Sequence, residues 1–171
     1  AIAATPLEHE TIKERVLYYE PFVAYTPPGH RLSKEQKIKP EELDVDDILL
    51  LEDGHCFKEG ILNICKTNKD TDNASFQLES GSFETLIKLA NEGLGMTLLP
   101  YLHTLELPEK ESNNLRMFEE PSPAREVSLI YNKSELKMQI IEALQQIISG
   151  VVRGAVAFNN VKIVSPLQQK N

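Results

Sequence analysis

LLLEDGHCFKEGILNICK, residues 49–66, decides the fold and holds both cysteines of the chain, Cys56 and Cys65. The run Ile48-Leu49-Leu50-Leu51 reads as a short buried strand. Asp53-Gly54 breaks it, and Phe57, Ile61 and Ile64 then recur at the spacing of one helix face. Cys56 falls near the turn into that helix. There the unpaired N–H groups and the positive end of the helix dipole favour a thiolate, as would a protonated His55 or Lys58. Cys65 follows nine residues later. On an unbroken helix that spacing is about 13.5 Å along the axis and about 180° around it, whereas a disulfide needs Cα atoms within roughly 7 Å. The two are therefore either unrelated thiols or a bridge that forms only when the helix is dismantled. Spacing alone favours the plainer alternative, one small buried hydrophobe and one incidental cysteine.

Upstream, Ala1–Thr5 (AIAAT) predicts a buried strand. Residues 7–14 are polar and irregular, and Arg15–Thr26 predicts one or two strands interrupted at Glu20-Pro21. Pro27-Pro28-Gly29-His30 is a turn, residues 32–39 are charged and solvated, and Pro40–Leu43 is a helical turn with proline at its first position. Downstream, Lys66–Asn73 is a polar loop and Ala74–Leu78 a short strand. Ser82 caps a helix with Phe83, Leu86, Ile87 and Ala90 on its buried face, and Gly93 ends that helix. Leu94–Leu99 predicts a strand stopped by Pro100, Tyr101–Asn114 is irregular, and Leu115–Phe118 is an edge strand. After a loop at Pro121–Pro123, Val127–Tyr131 is a further strand. Ser134 is the expected cap of a last helix carrying Ile140, Ile141, Leu144, Ile147, Ile148, Val151 and Val152 at a 3.6-residue period. Residues 158–171 are a tail ordered only by docking. Strands alternating with helices make the fold class α/β.

The chain has 171 residues, 41 % of them apolar and 26 % charged, the balance of a globular protein with one sizeable core or two small lobes. No apolar run approaches 18 residues, so a membrane span is not expected. A net charge of −8 without a Lys/Arg cluster argues against direct nucleic-acid contact by this segment. Two cysteines make no disulfide scaffold and suit a reducing, cytoplasmic setting. No His/Cys spacing fits a metal, and no cofactor is called for. His9, His30 and His103 are expected in turns or at the surface, and Asp53 as turn chemistry.

LEDGHC at residues 51–56, with a second cysteine nine residues on, resembles the peroxide-sensing OxyR branch of the LysR-type transcriptional regulators. SFETLIKLANEGLGMTLLP at 82–100, PAREVSLIY at 123–131 and YEPFVAYTPPGHRLS at 19–33 are similar to segments shared by LysR-type effector domains in general. The resemblance implies a periplasmic-binding-protein-like domain of two α/β lobes joined by two crossover strands. Residues 1–20 and 127–171 would belong to the first lobe and 21–126 to the second. It further implies that Cys56 is the peroxidatic thiol, oxidised by hydrogen peroxide to a sulfenic acid, and that Cys65 is the resolving thiol. His55 and Arg125 would stabilise the thiolate, although an ordinary structural histidine and a hinge salt bridge fit them equally. The implied partners are a homodimer or tetramer, a glutaredoxin or thioredoxin system for reduction, and operator DNA through a DNA-binding domain without counterpart in this sequence. The first-lobe units expected to contact peroxide have no counterpart either. Two other functions compete: an effector domain that binds a small organic anion between its lobes, with the cysteines incidental, and a thiol peroxidase, which multiple turnover would reveal.

Overall fold

The computed structural model describes residues 1–52, 56–65, 79–156 and 160–164, with Cys56 and Glu79 described by their backbone alone. The expectations for Asp53, His55, the 66–73 loop and the Ala74–Leu78 strand lie outside the described residues, as do those for 158–159 and 165–171 of the tail.

Two long strands organise everything else. β2 (Ile12–Tyr25) and β8 (Ser122–Asn132) pair antiparallel, with Lys13 opposite Tyr131 near one end and Pro21 opposite Ala124 near the other. The expected break at Glu20-Pro21 does not occur. Proline removes one ladder donor, but its fixed φ suits an extended chain, and the register is irregular only between Val16 and Tyr18. β2 also begins earlier than its polar first residues suggest, because each of them has a partner on β8. Likewise Pro123 and Arg125 lie within β8 and not ahead of it.

Around this pair a seven-stranded sheet forms in the order β1-β8-β2-β7-β3, with β6 on β2 and β9 on β8. β1 (Ile2–Thr5) is a strand, as expected, but it is an outer one: only Thr5 is buried and Ile2 is exposed. β7 (Leu115–Phe118) is not an edge, since it pairs antiparallel with β2 and parallel with β3 (Lys37–Ile38). Ile38 is fully buried within the stretch expected to be solvated. Met117 and Phe118 draw it into the sheet. β4 (Leu50–Leu51) pairs parallel with β5 (Glu79–Ser80). β9 (Val161–Ile163) docks parallel on Ser122–Ala124 of β8, which orders part of the tail.

The helices are α1 (Cys56–Ile64), α2 (Phe83–Asn91), α3 (Tyr101–Thr104), α4 (Glu109–Ser112) and α5 (Met138–Arg153). Ser82 caps α2 as expected, its Oγ accepting from the Thr85 N–H at 3.2 Å, and Gly93 ends that turn with φ +82°. β6 (Thr97–Pro100) starts three residues later than the apolar run suggests. Two residues before it, Gly95 has φ +142°, and a Cβ there would lie 2.6 Å from the Asp47 carbonyl oxygen. Only glycine lets Met96 bridge Ile48 in that conformation. The irregular stretch 101–114 holds the two short helices α3 and α4. α5 begins four residues after Ser134, whose N–H and Oγ both bond to Asn132 Oδ1, while Glu135 Oε1 accepts from the Leu136 and Lys137 amides. Those local bonds satisfy the backbone outside the helix and delay its start.

Among the described residues, two hydrophobic clusters divide the fold. The larger gathers Phe22, Tyr25, Ile38, Leu50, Phe57, Ile61, Cys65, Leu86, Met96 and Phe118, and the smaller gathers Leu17, Leu129 and Ile141. β2 runs through both, with Phe22 and Tyr25 in the larger and Leu17 in the smaller. The clean period of α5 does not translate into a fully buried face: Ile141 alone is buried, whereas Ile147 and Val151 are 63 % and 75 % exposed.

Candidate redox site

β4 is buried, and Cys56 opens α1. Phe57, Lys58, Gly60, Ile61 and Ile64 are its buried residues. Gly60 sits where a Cβ would come within 3.0 Å of Phe22 Cζ, so its missing side chain lets α1 lie close on β2. Cys65 directly follows the helix, its N–H donating to the Ile61 carbonyl at 3.0 Å. The helix is thus continuous from one cysteine to the residue before the other. Nine steps of helical rise hold the two backbones about 13.5 Å apart.

Cys65 is a free thiol, 4 % exposed, inside the larger core cluster. Burial, followed by the nearby Asp44 carboxylate, pushes its pKa up to about 12. It is held as a thiol, the form that does not attack sulfur.

Arg125 lies in β8 directly opposite Glu20 of β2. Its Nε–H and Nη2–H both donate to Glu20 Oε2, at 2.9 and 2.7 Å. Glu20 is 2 % exposed, and its other oxygen accepts from the Leu102 N–H of α3 at 3.0 Å. The hinge salt bridge is therefore present. The same guanidinium also stands 5.2 Å from the centroid of Phe57, the residue after Cys56, in a cation–π contact. Its field at the start of α1 is reduced by the paired carboxylate. Nearby, burial raises the pKa of Tyr18, with Glu20 adding to the rise and Arg125 opposing it.

Phe57 is the centre of an aromatic cage. Its ring lies 4.9 Å from Phe22 of β2 and 5.2 Å, edge to face, from Phe83 of α2. Phe83 in turn contacts His103 at 5.0 Å. His103 is thus a half-buried residue of α3 whose Nε2 is enclosed without a hydrogen bond. His30 stands in a turn, as expected, with its side chain enclosed and Nε2 2.6 Å from Asp47 Oδ2. His55 lies outside the described residues. Glu20, Phe57 and Phe83 were not singled out from sequence. For Glu20 a signal existed, an acid inside the apolar run 16–26, which has to be paired if the run is a buried strand. Among the described residues no group of His, Cys, Asp and Glu side chains could hold a metal ion, and no helix is long and apolar enough to cross a membrane.

The family model for the LysR substrate binding domain matches residues 1–152. The chain belongs to that family. Within the LysR relatives it is 29 % identical over 153 residues to a probable hydrogen peroxide-inducible genes activator of Mycobacterium leprae, covering 89 % of this chain and 49 % of that protein. It is likewise 29 % identical to the hydrogen peroxide-inducible genes activator of Haemophilus influenzae, over 77 % of this chain and 43 % of that one. The chain spans about half the length of the curated relatives it matches. Among solved structures, OxyR from Porphyromonas gingivalis superposes with a TM-score of 0.80 at 25 % identity, covering 95 % of this chain and 74 % of that one. The reduced form of the OxyR regulatory domain from Pseudomonas aeruginosa gives 0.70 at 29 % identity, over 86 % and 70 %. The fold is accordingly the LysR effector fold, two α/β lobes joined by crossover strands.

Proposed function

We propose that this chain is the redox-sensing part of a peroxide-responsive LysR-type regulator. The observation that carries this reading is one intact helix with Cys56 at its first residue and Cys65 sealed in the core just past its end. The names of the relatives support the same reading. Cys56 at the helix N-terminus attacks one oxygen of hydrogen peroxide as the thiolate. The O–O bond breaks, Cys56 becomes a sulfenic acid, and hydroxide leaves to take up a proton as water. Cys65 cannot reply from its docked position, because it is both distant and protonated. It condenses with the sulfenic acid only after α1 unwinds, forming the S–S bond and releasing a second water. The peroxide is reduced by two electrons and the thiol pair is oxidised by two. Rebuilding of α1 against β2, β8 and α2 converts that chemistry into a change of surface.

In the whole protein the change would alter the arrangement of subunits in a dimer or tetramer on operator DNA. A glutaredoxin or thioredoxin in the cytoplasm would restore the dithiol. Arg125 acts on the thiolate chiefly as part of the Arg125–Glu20 pair, and His55 is the second candidate stabiliser. Such a sensor oxidises once per signal, unlike a peroxidase. One equivalent of hydrogen peroxide followed by mass-spectrometric disulfide mapping tests the function: a Cys56–Cys65 bridge is expected, and two persisting free thiols rule it out.

A further inference from the structure

Phe57 is held from three sides by elements other than its own: Phe22 of β2, Phe83 of α2 and the Arg125 guanidinium of β8. It is one residue from Cys56. Phe57 and Gly60 both face the Phe22 ring, Phe57 at 4.9 Å between centroids and Gly60 so close that an added Cβ would lie 3.0 Å from Cζ. Residues three apart meet one partner together only while the chain between them is a helical turn. Closing a bridge to Cys65 gives up that turn, so the grip on Phe22 belongs to the dithiol form. Whatever free energy the cage supplies is then supplied to one side of the redox equilibrium alone.

We propose that Phe57 sets the redox poise of the cysteine pair: its aromatic cage holds α1 docked in the dithiol form and so opposes formation of the Cys56–Cys65 disulfide. This inference rests on the sensor function proposed above and adds what tunes it. Phe57 is a positioning residue, since it acts through the helix and not on the reacting sulfur. The thiols of Cys56 and Cys65 exchange with oxidised glutathione, protein dithiol plus one glutathione disulfide giving protein disulfide plus two glutathione thiols. The electron pair passes to glutathione, so the cage appears directly in that equilibrium constant.

The test equilibrates the wild type, Phe57→Leu and Phe118→Leu in graded glutathione buffers and measures the disulfide fraction by mass spectrometry. Phe118 is buried to 1 % on β7 and serves as the control for a core ring lost outside α1. Phe57→Leu is expected to shift the constant about tenfold toward the disulfide, about 30 mV toward more reducing potential for a two-electron couple. Phe118→Leu is expected to stay at the wild-type value while losing global stability. Should Phe57→Leu fail to fold, Gly60→Val undocks the same turn through its new contact with Phe22 and is expected to shift the equilibrium in the same direction. A Phe57→Leu protein at the wild-type potential, or an equal shift from Phe118→Leu, overturns the inference and leaves the sensor function standing. A wild type that never forms the bridge overturns both.

Discussion

Replacing Cys56 by Ser leaves Cys65 as the single thiol of the chain, and its rate of alkylation then reports how firmly α1 holds it. Burial and the Asp44 carboxylate raise its pKa from the usual 9.0 to about 12. At pH 7 the thiolate fraction accordingly falls from about one in a hundred to about one in a hundred thousand, roughly a thousandfold. Iodoacetamide should modify Cys65 in the folded protein about a thousandfold more slowly than in the same variant unfolded in urea, unless α1 opens more often than about once in a thousand. The pH dependence has a definite sign. The docked thiol binds its proton more tightly than the released one, so docking contributes its full stability below pH 9. Between pH 9 and about 12 only the released form ionises, and docking weakens by about tenfold per pH unit. Alkylation should therefore rise more steeply over that window than for a free thiol. Folded and unfolded protein reacting at pH 7 within tenfold of each other would refute the claim that Cys65 is out of reach until the helix yields.

Arg125→Ala leaves the Glu20 carboxylate buried and without its paired cation, held by the Leu102 N–H, and should cost about 3–5 kcal/mol in urea unfolding. Arg125→Lys should recover only part of that, because lysine cannot reproduce the paired Nε and Nη2 contacts. Gly95→Ala must leave φ +142° and relieve a 2.6 Å contact with the Asp47 oxygen, so we expect a loss above about 2 kcal/mol; a change within 0.5 kcal/mol, by the same rough standard, would contradict the geometry. Ser82→Ala removes the acceptor for the Thr85 amide and should lower stability by about 1 kcal/mol, with Ser82→Asp near the wild type.

How far these features could be read from the chain differs from element to element. The start of α1 was legible because Asp53-Gly54 ends an apolar run and Phe57, Ile61 and Ile64 begin a helical period. The same local chemistry exposed Ser82 and Gly93 as the ends of α2. What escaped was set by partners far away in sequence. Glu20-Pro21 looks like a break until Arg125 and Ala124 stand opposite it, more than a hundred residues along the chain. Leu115–Phe118 looks like an edge until β3 joins its outer side. The apolar period of α5 predicts burial, but the sheet beneath it engages only the face around Ile141. In the site, the cysteines were visible as residue types and their separation as helix arithmetic. The Phe57 cage was not, because Phe22, Phe83 and Arg125 converge on it from three different elements.

Amide hydrogen exchange across residues 60–65, before and after one equivalent of peroxide, addresses most directly the claim that oxidation dismantles α1. In the dithiol protein the amides of this turn, including the Cys65 N–H bonded to Ile61, should be protected. Once the Cys56–Cys65 disulfide has formed, their protection should fall to that of an unstructured segment while β2 and β8 keep theirs. A protein that carries the disulfide and still protects these amides as before would contradict the account.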